Sequence, residues 1–95
     1  LRVVAAIDTL AEVGPGLGRP LVDRIRGSSI GNLKELRVGT ARILFVFDPW
    51  RSSVLLVAGD KAKRWQAWYV EAIPLAERRY EVYVKERARE EGDLS

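Results

Sequence analysis

The stretch LKELRVGTARILFVFDPWRSSVLLVAGDK, residues 33–61, decides the fold. Residues 33–38 and 41–48 are strand-like runs separated by Gly39-Thr40, and a glycine first in a two-residue connection is what a type II′ hairpin turn needs. Asp48-Pro49-Trp50-Arg51-Ser52 is the second turn: Asp suits its first position, and Pro holds φ near the value the second requires. Residues 53–59 then return as a third strand, giving an antiparallel meander.

These turns set a pairing in which Arg37 faces Arg42, Leu36 faces Ile43 and Arg42 faces Gly59. Side chains alternate across a sheet, so Leu36, Val38, Ile43, Phe45, Phe47, Val54, Leu56 and Ala58 are expected to share one wholly apolar face. The other face would carry Glu35, Arg37, Arg42, Leu44, Val46, Leu55, Val57 and Gly59, apolar at one end and charged at the other. Two arginines directly opposed on a strand pair repel and call for an anion. Two answers stand: a salt bridge to Glu35, diagonal to Arg42, or a phosphate gripped by a guanidinium fork, with Gly59 leaving room for it beside Arg42.

Outside this stretch, residues 1–13 place Val3, Ala6, Ile7, Leu10 and Val13 at helical spacing, and Gly14-Pro15 stops that helix. GPGLGRP, residues 14–20, lacks the Lys-Ser/Thr of a P-loop and reads as a turn. Residues 21–27, LVDRIRG, are short and mixed. Arg24 and Arg26 stand there beside the polar loop 28–32 and are open either to phosphate contact or to plain solvation. After the meander, Trp65, Trp68, Tyr69 and Ala72 recur at i, i+3, i+4, i+7, the stripe of a short helix burying aromatics, preceded by Lys61, Lys63 and Arg64. Ile73-Pro74 is expected to reset the chain, with Pro opening a second helix. That helix, residues 75–91, has a narrow stripe of Ala76, Tyr80, Tyr83 and Val84 and stops before Gly92.

Ninety-five residues are enough for one domain with a modest core, and 47% apolar residues is an ordinary share. The chain has neither Cys nor His. Disulfide frameworks, the usual zinc sites, thiolate chemistry and imidazole acid–base catalysis are therefore excluded; any catalysis must use Arg, Lys, Tyr, Asp or Glu, and no metal or other cofactor is expected. A net charge of +3 favours anionic partners. No apolar run approaches the roughly 18 residues a membrane span needs, so a cytoplasmic location is the simple expectation. There is no Met, and Leu1 opens inside an amphipathic pattern, from which we expect a strand upstream of these residues.

Taken together, LGRPLVDRIRGS, LKELRVGTARILFVFDP, LLVAGDKAKRWQAWY and IPLAERRY resemble the HigB-like branch, also described as phage-derived Gp49-like, of the RelE/ParE toxin superfamily. The likeness spans roughly residues 3 to 84. It implies an α+β fold, with one or two N-terminal helices packed on a twisted antiparallel sheet, a C-terminal helix, and a first strand preceding the helices. It also implies a toxin of a bacterial type II toxin–antitoxin operon, held in a hetero-oligomer by a helix-turn-helix antitoxin. RelE-like and HigB-like members cut messenger RNA, usually on the ribosome and without a metal, whereas ParE-like members inhibit DNA gyrase. By matching motifs, the resemblance points to Arg26, Arg37, Arg42, Lys61 and Tyr69, with Lys34 and Lys63 as further contacts to RNA beside Arg24. Arg37 and Arg42 would stabilise the phosphorane, Lys61 or Lys34 would serve as base, and Tyr69 would orient a base or the leaving group. The alternatives are a ParE-like gyrase inhibitor acting through the C-terminal helix, and a catalytically inert toxin fold kept as a binding module.

Overall fold

A computed structural model of the chain describes residues 2–49, 52–60 and 65–94, and of residues 65, 93 and 94 the backbone alone. Helix α1, Arg2–Val13, runs into a short 3-10 turn, Gly14–Gly16. Strands β1 (Val22–Arg24), β2 (Lys34–Val38), β3 (Ala41–Phe47) and β4 (Ser53–Asp60) follow, then one long helix, α2, Trp65–Leu94. The four strands form one antiparallel sheet in the order β1-β2-β3-β4, with α1 against one face and α2 against the other. The arrangement is α+β, as expected.

The glycines at the two ends of α1 and β2 act as read. Gly14 has φ +69° and Gly39 φ +59°, both in the left-handed region that side chains disfavour. The first ends the helix and the second opens the β2–β3 turn. At the other hairpin Asp48 is buried: its Oδ1 accepts from the Ser52 backbone N–H at 2.9 Å and its Oδ2 from the Tyr83 hydroxyl at 2.7 Å. The aspartate thus closes the turn and ties it to α2.

The core is split by the sheet. Under α1 lie Ala6, Leu10, Val22, Leu36, Ile43 and Phe45. Under α2 lie Leu33, Leu44, Val46, Leu56, Val57, Trp68, Ala72 and Ala76, with Ile30 at the margin. Trp68, Ala72 and Ala76 repeat every four residues, and the two alanines let the helix axis approach the sheet.

Three expectations need correction. First, residues 22–24 form an edge strand that a three-residue, mixed-charge segment does not announce; it exists because Val22, Asp23 and Arg24 pair with Leu36, Glu35 and Lys34. Second, the register slips after Leu44↔Val57, so that Phe45 pairs with Leu55. This bulge gives β4 one extra residue and flips its first half. Val54 and Leu56 pack under α2 instead of beside Leu36, Leu55 turns to the other side and is exposed, and the Leu56 carbonyl accepts from Arg79 Nη1 at 2.7 Å. Third, α2 runs through Pro74 and Gly92 without a break. Proline deprives the carbonyl four residues earlier of its partner, but that residue, Val70, is 73% exposed and so lies on the solvent side of the helix. Val13 and Val84, expected in the apolar stripes, are likewise exposed. No described helix is long and apolar enough to cross a membrane.

Candidate functional site

Strand alternation and the antiparallel register bring one cluster together beneath the first turns of α2. The expected pairs hold: Arg37 faces Arg42, Leu36 faces Ile43 and Arg42 faces Gly59. β2 turns Glu35 and Arg37 to the α2 side, β3 turns Arg42 there, and β1 adds Asp23, which faces Glu35. Tyr69 reaches in from α2.

Glu35 is the hub. Its side chain is 3% exposed; Arg37 Nε donates to its Oε1 at 2.8 Å and the Tyr69 hydroxyl donates to its Oε2 at 2.6 Å. Arg37 also reaches Asp23 Oδ2 at 3.1 Å while remaining 38% exposed, so a phosphate can approach its guanidinium. Of the two answers for the arginine pair, the resting structure has the salt bridge, made to Arg37 rather than to Arg42. Arg42 is buried, and its Nη1 donates to the carbonyls of Gly39 at 2.6 Å and Ala41 at 2.8 Å. Anchored in its own hairpin, Arg42 offers a phosphate its field more than its fork. Its Nε is buried without a hydrogen-bond partner.

Burial, then the bond to Glu35, push the Tyr69 phenol up to about 12, with Arg42 pulling weakly the other way. At neutral pH Tyr69 is therefore a proton donor and not a base. The bond to Glu35 likewise raises Arg37 above the ordinary arginine value. Asp23 is held below the usual carboxylate range, first by the Arg24 backbone N–H and then by Arg19.

The space expected beside Gly59 is filled. A Cβ there would collide with Trp68 Nε1 and come within 2.9 Å of Cε2, so the glycine exists to seat the indole and not to admit a ligand. Trp68 in turn meets the Tyr69 ring edge-on at 5.0 Å, which orients the phenol toward Glu35.

Other expected site residues lie elsewhere. Lys34 is on the α1 side, its Nζ 5.6 Å from the Phe47 ring centroid, and the structure does not bring it to the cluster. Its neighbour across the strand pair is Arg24, whose Nη2 lies 3.4 Å from the Gly31 carbonyl. Arg26 is exposed, just before the loop that Glu77 pins to α2 by accepting from Ser28 Oγ at 2.8 Å and the Ser29 backbone N–H at 2.7 Å. Lys61 and Lys63 fall outside the described residues. The residue that sequence reasoning missed is Asp23: with no strand expected at 22–24, nothing placed its carboxylate beside Glu35. Among the described residues no group of acidic side chains is arranged to hold a metal ion.

The model of the family described as "Phage derived protein Gp49-like" matches residues 2–81. The chain belongs to that family. Among curated proteins it is 53% identical over 81 residues to one from Mycobacterium tuberculosis named "Putative toxin HigB3", a match covering 83% of this chain and 71% of the relative. It is 54% identical over 80 residues to "Putative toxin HigB2" of the same organism, covering 79% of this chain and 40% of that longer protein. No solved structure matches the chain. The Gp49-like match runs from α1 into α2 and so contains every residue of the cluster.

Proposed function

We propose that this chain is the toxin of a type II toxin–antitoxin pair, and that it cuts messenger RNA in the ribosome, without a metal, until a cognate antitoxin covers it. The observation that carries this reading is the convergence of Arg37 and Tyr69 on one buried carboxylate, with Arg42 directly across the strand pair from Arg37, in a Gp49-like chain whose relatives bear toxin names. In the reaction the RNA 2′-oxygen attacks the adjacent phosphorus, the O2′–P bond forms and the P–O5′ bond breaks. The products are a 2′,3′-cyclic phosphate and a 5′-hydroxyl end. Arg37 binds the non-bridging oxygens as charge grows on them, with Arg42 adding its field from behind. Tyr69, protonated at neutral pH, donates toward the phosphate or the departing O5′. With Lys34 on the opposite face, Lys61 is the lysine assigned to take the 2′-OH proton. Glu35 holds Arg37 and Tyr69 in place.

The test is induced expression in a bacterial host with mapping of transcript 5′ ends, wild type against Arg37→Ala/Lys61→Ala. New ends within translated regions that vanish in the double variant are the expected result. Growth arrest with intact transcripts, and inhibition of purified gyrase, would replace this reading with the ParE-like one. Tight binding of an antitoxin without arrest would indicate an inert module.

A further inference from the structure

The sheet carries a second basic pair, and it is built differently from the first. Arg24 of β1 and Lys34 of β2 are register partners on the α1 side. Directly opposed like charges repel, yet among the described residues neither is paired with a carboxylate: Arg24 makes one long contact to a carbonyl, and Lys34 rests on an aromatic ring. Both line an open groove of about 450 Å³, with Arg19 and Asn32 at its sides and Leu17 in its wall. Asp23 borders the groove, but Arg19, Arg37 and the Arg24 backbone N–H already hold its oxygens at 2.8 to 3.2 Å. The groove is left with surplus positive charge and donors that can turn to a ligand.

Its position identifies the ligand class. β1 is an edge strand, only one strand wide, and the chain of contacts Arg19–Asp23–Arg37 runs around that edge to the candidate cleavage cluster. We propose that the Arg24/Lys34 groove binds phosphates of the same RNA strand whose scissile phosphate lies at Arg37, the backbone crossing the β1 edge from one sheet face to the other. This rests on the RNA-cutting reading above and extends it to a site separate from the reacting groups. A continuous basic path toward the cluster favours RNA over an acidic protein segment, which needs no such continuity.

Binding of a labelled 2′-O-methyl oligouridylate, which cannot be cut because it has no free 2′-OH, isolates the groove from catalysis. Each phosphate contact on a single strand contributes about 0.7 to the slope of log K against log salt, so Arg24→Ala/Lys34→Ala should flatten that slope by about 1.4. Arg78→Ala/Arg89→Ala, which removes the same charge from exposed positions on α2, should leave the slope near wild type, and Arg24→Lys/Lys34→Arg should restore it. An unchanged slope in the alanine pair overturns the proposal. So does a groove that holds polyglutamate, lost in the alanine pair, while oligouridylate binds no differently in that pair and in wild type. Flattening without transcript cleavage by wild type keeps the groove and removes the nuclease, whereas cleavage with an unaltered slope removes the groove alone.

Discussion

Two pairs of basic residues oppose each other in this sheet, and the fold treats them in opposite ways. Arg37 and Arg42, on the α2 side, are supplied with Glu35 and Asp23, a phenol and backbone carbonyls. Arg24 and Lys34, on the α1 side, have no carboxylate among the described residues. Glu35 and Arg42 are buried, and a buried charge must be paired or hydrogen-bonded or it destabilises the fold, whereas the exposed Arg24 and the half-buried Lys34 are within reach of water. The pair around Glu35 is therefore held rigid, as positioning for chemistry requires, and the other pair is adaptable, as suits contact with a flexible backbone. The resting counter-ion also bears on function: Glu35 sets the geometry of Arg37 while leaving its outer edge accessible.

Substitutions should separate the two pairs, and Arg37 should give the largest effect. Arg37→Lys keeps a cation for Glu35 but removes the fork; cleavage should fall about 100- to 1,000-fold, the usual loss for one transition-state donor, in single-turnover assays at saturating RNA. At the same saturation, Arg24→Ala/Lys34→Ala should cut at the wild-type rate. Gly59→Ala comes next, because the new methyl displaces Trp68 and with it the Tyr69 ring; overpacking of this kind costs about 1–3 kcal/mol, measurable by denaturant unfolding. Glu35→Gln should cost about 1–3 kcal/mol by the same measurement, since it leaves Arg37 without its charged acceptor.

Tyr69→Phe sharpens the contrast through pH. The folded phenol titrates at about 12, above its unfolded value of about 10. Its contribution is fully present below pH about 10 and is lost as pH rises toward 12. Wild type should therefore lose more stability than Tyr69→Phe over that interval, and equal losses would contradict the buried Tyr69–Glu35 bond. Smallest of all, Arg24→Ala/Lys34→Ala should leave stability within about 0.5 kcal/mol of wild type, because it removes two charges that repel each other and make few contacts.

Much of this was legible before the fold. The hairpin glycine, the Asp-Pro turn and the alternation of residues 33–47 were enough to place Arg37 opposite Arg42 and to put both on the face with Leu44 and Val46. What failed, failed where tertiary contacts override local pattern. The bulge after Leu44 has no mark in the sequence, since either register of residues 53–57 buries apolar side chains. The three residues of β1 are a strand only because β2 offers them an edge, so Asp23 could not be foreseen in the site. Pro74 read as a helix start because proline usually is one at that spacing; it is tolerated where the lost hydrogen bond faces water. Gly59 was read as space for a ligand, and the missing consideration was a tryptophan nine residues later on a helix crossing above it.

The most direct test of the central claim, that the Glu35-centred cluster performs the cleavage, uses purified protein and ribosomes programmed with a defined message. The single-turnover rate of Arg37→Lys is compared with wild type after unfolding curves have established that both are folded. A drop of about 100-fold or more, with 2′,3′-cyclic phosphate ends from the wild-type reaction, is the predicted result. Equal rates for the two folded proteins, or no cut by wild type, would contradict it.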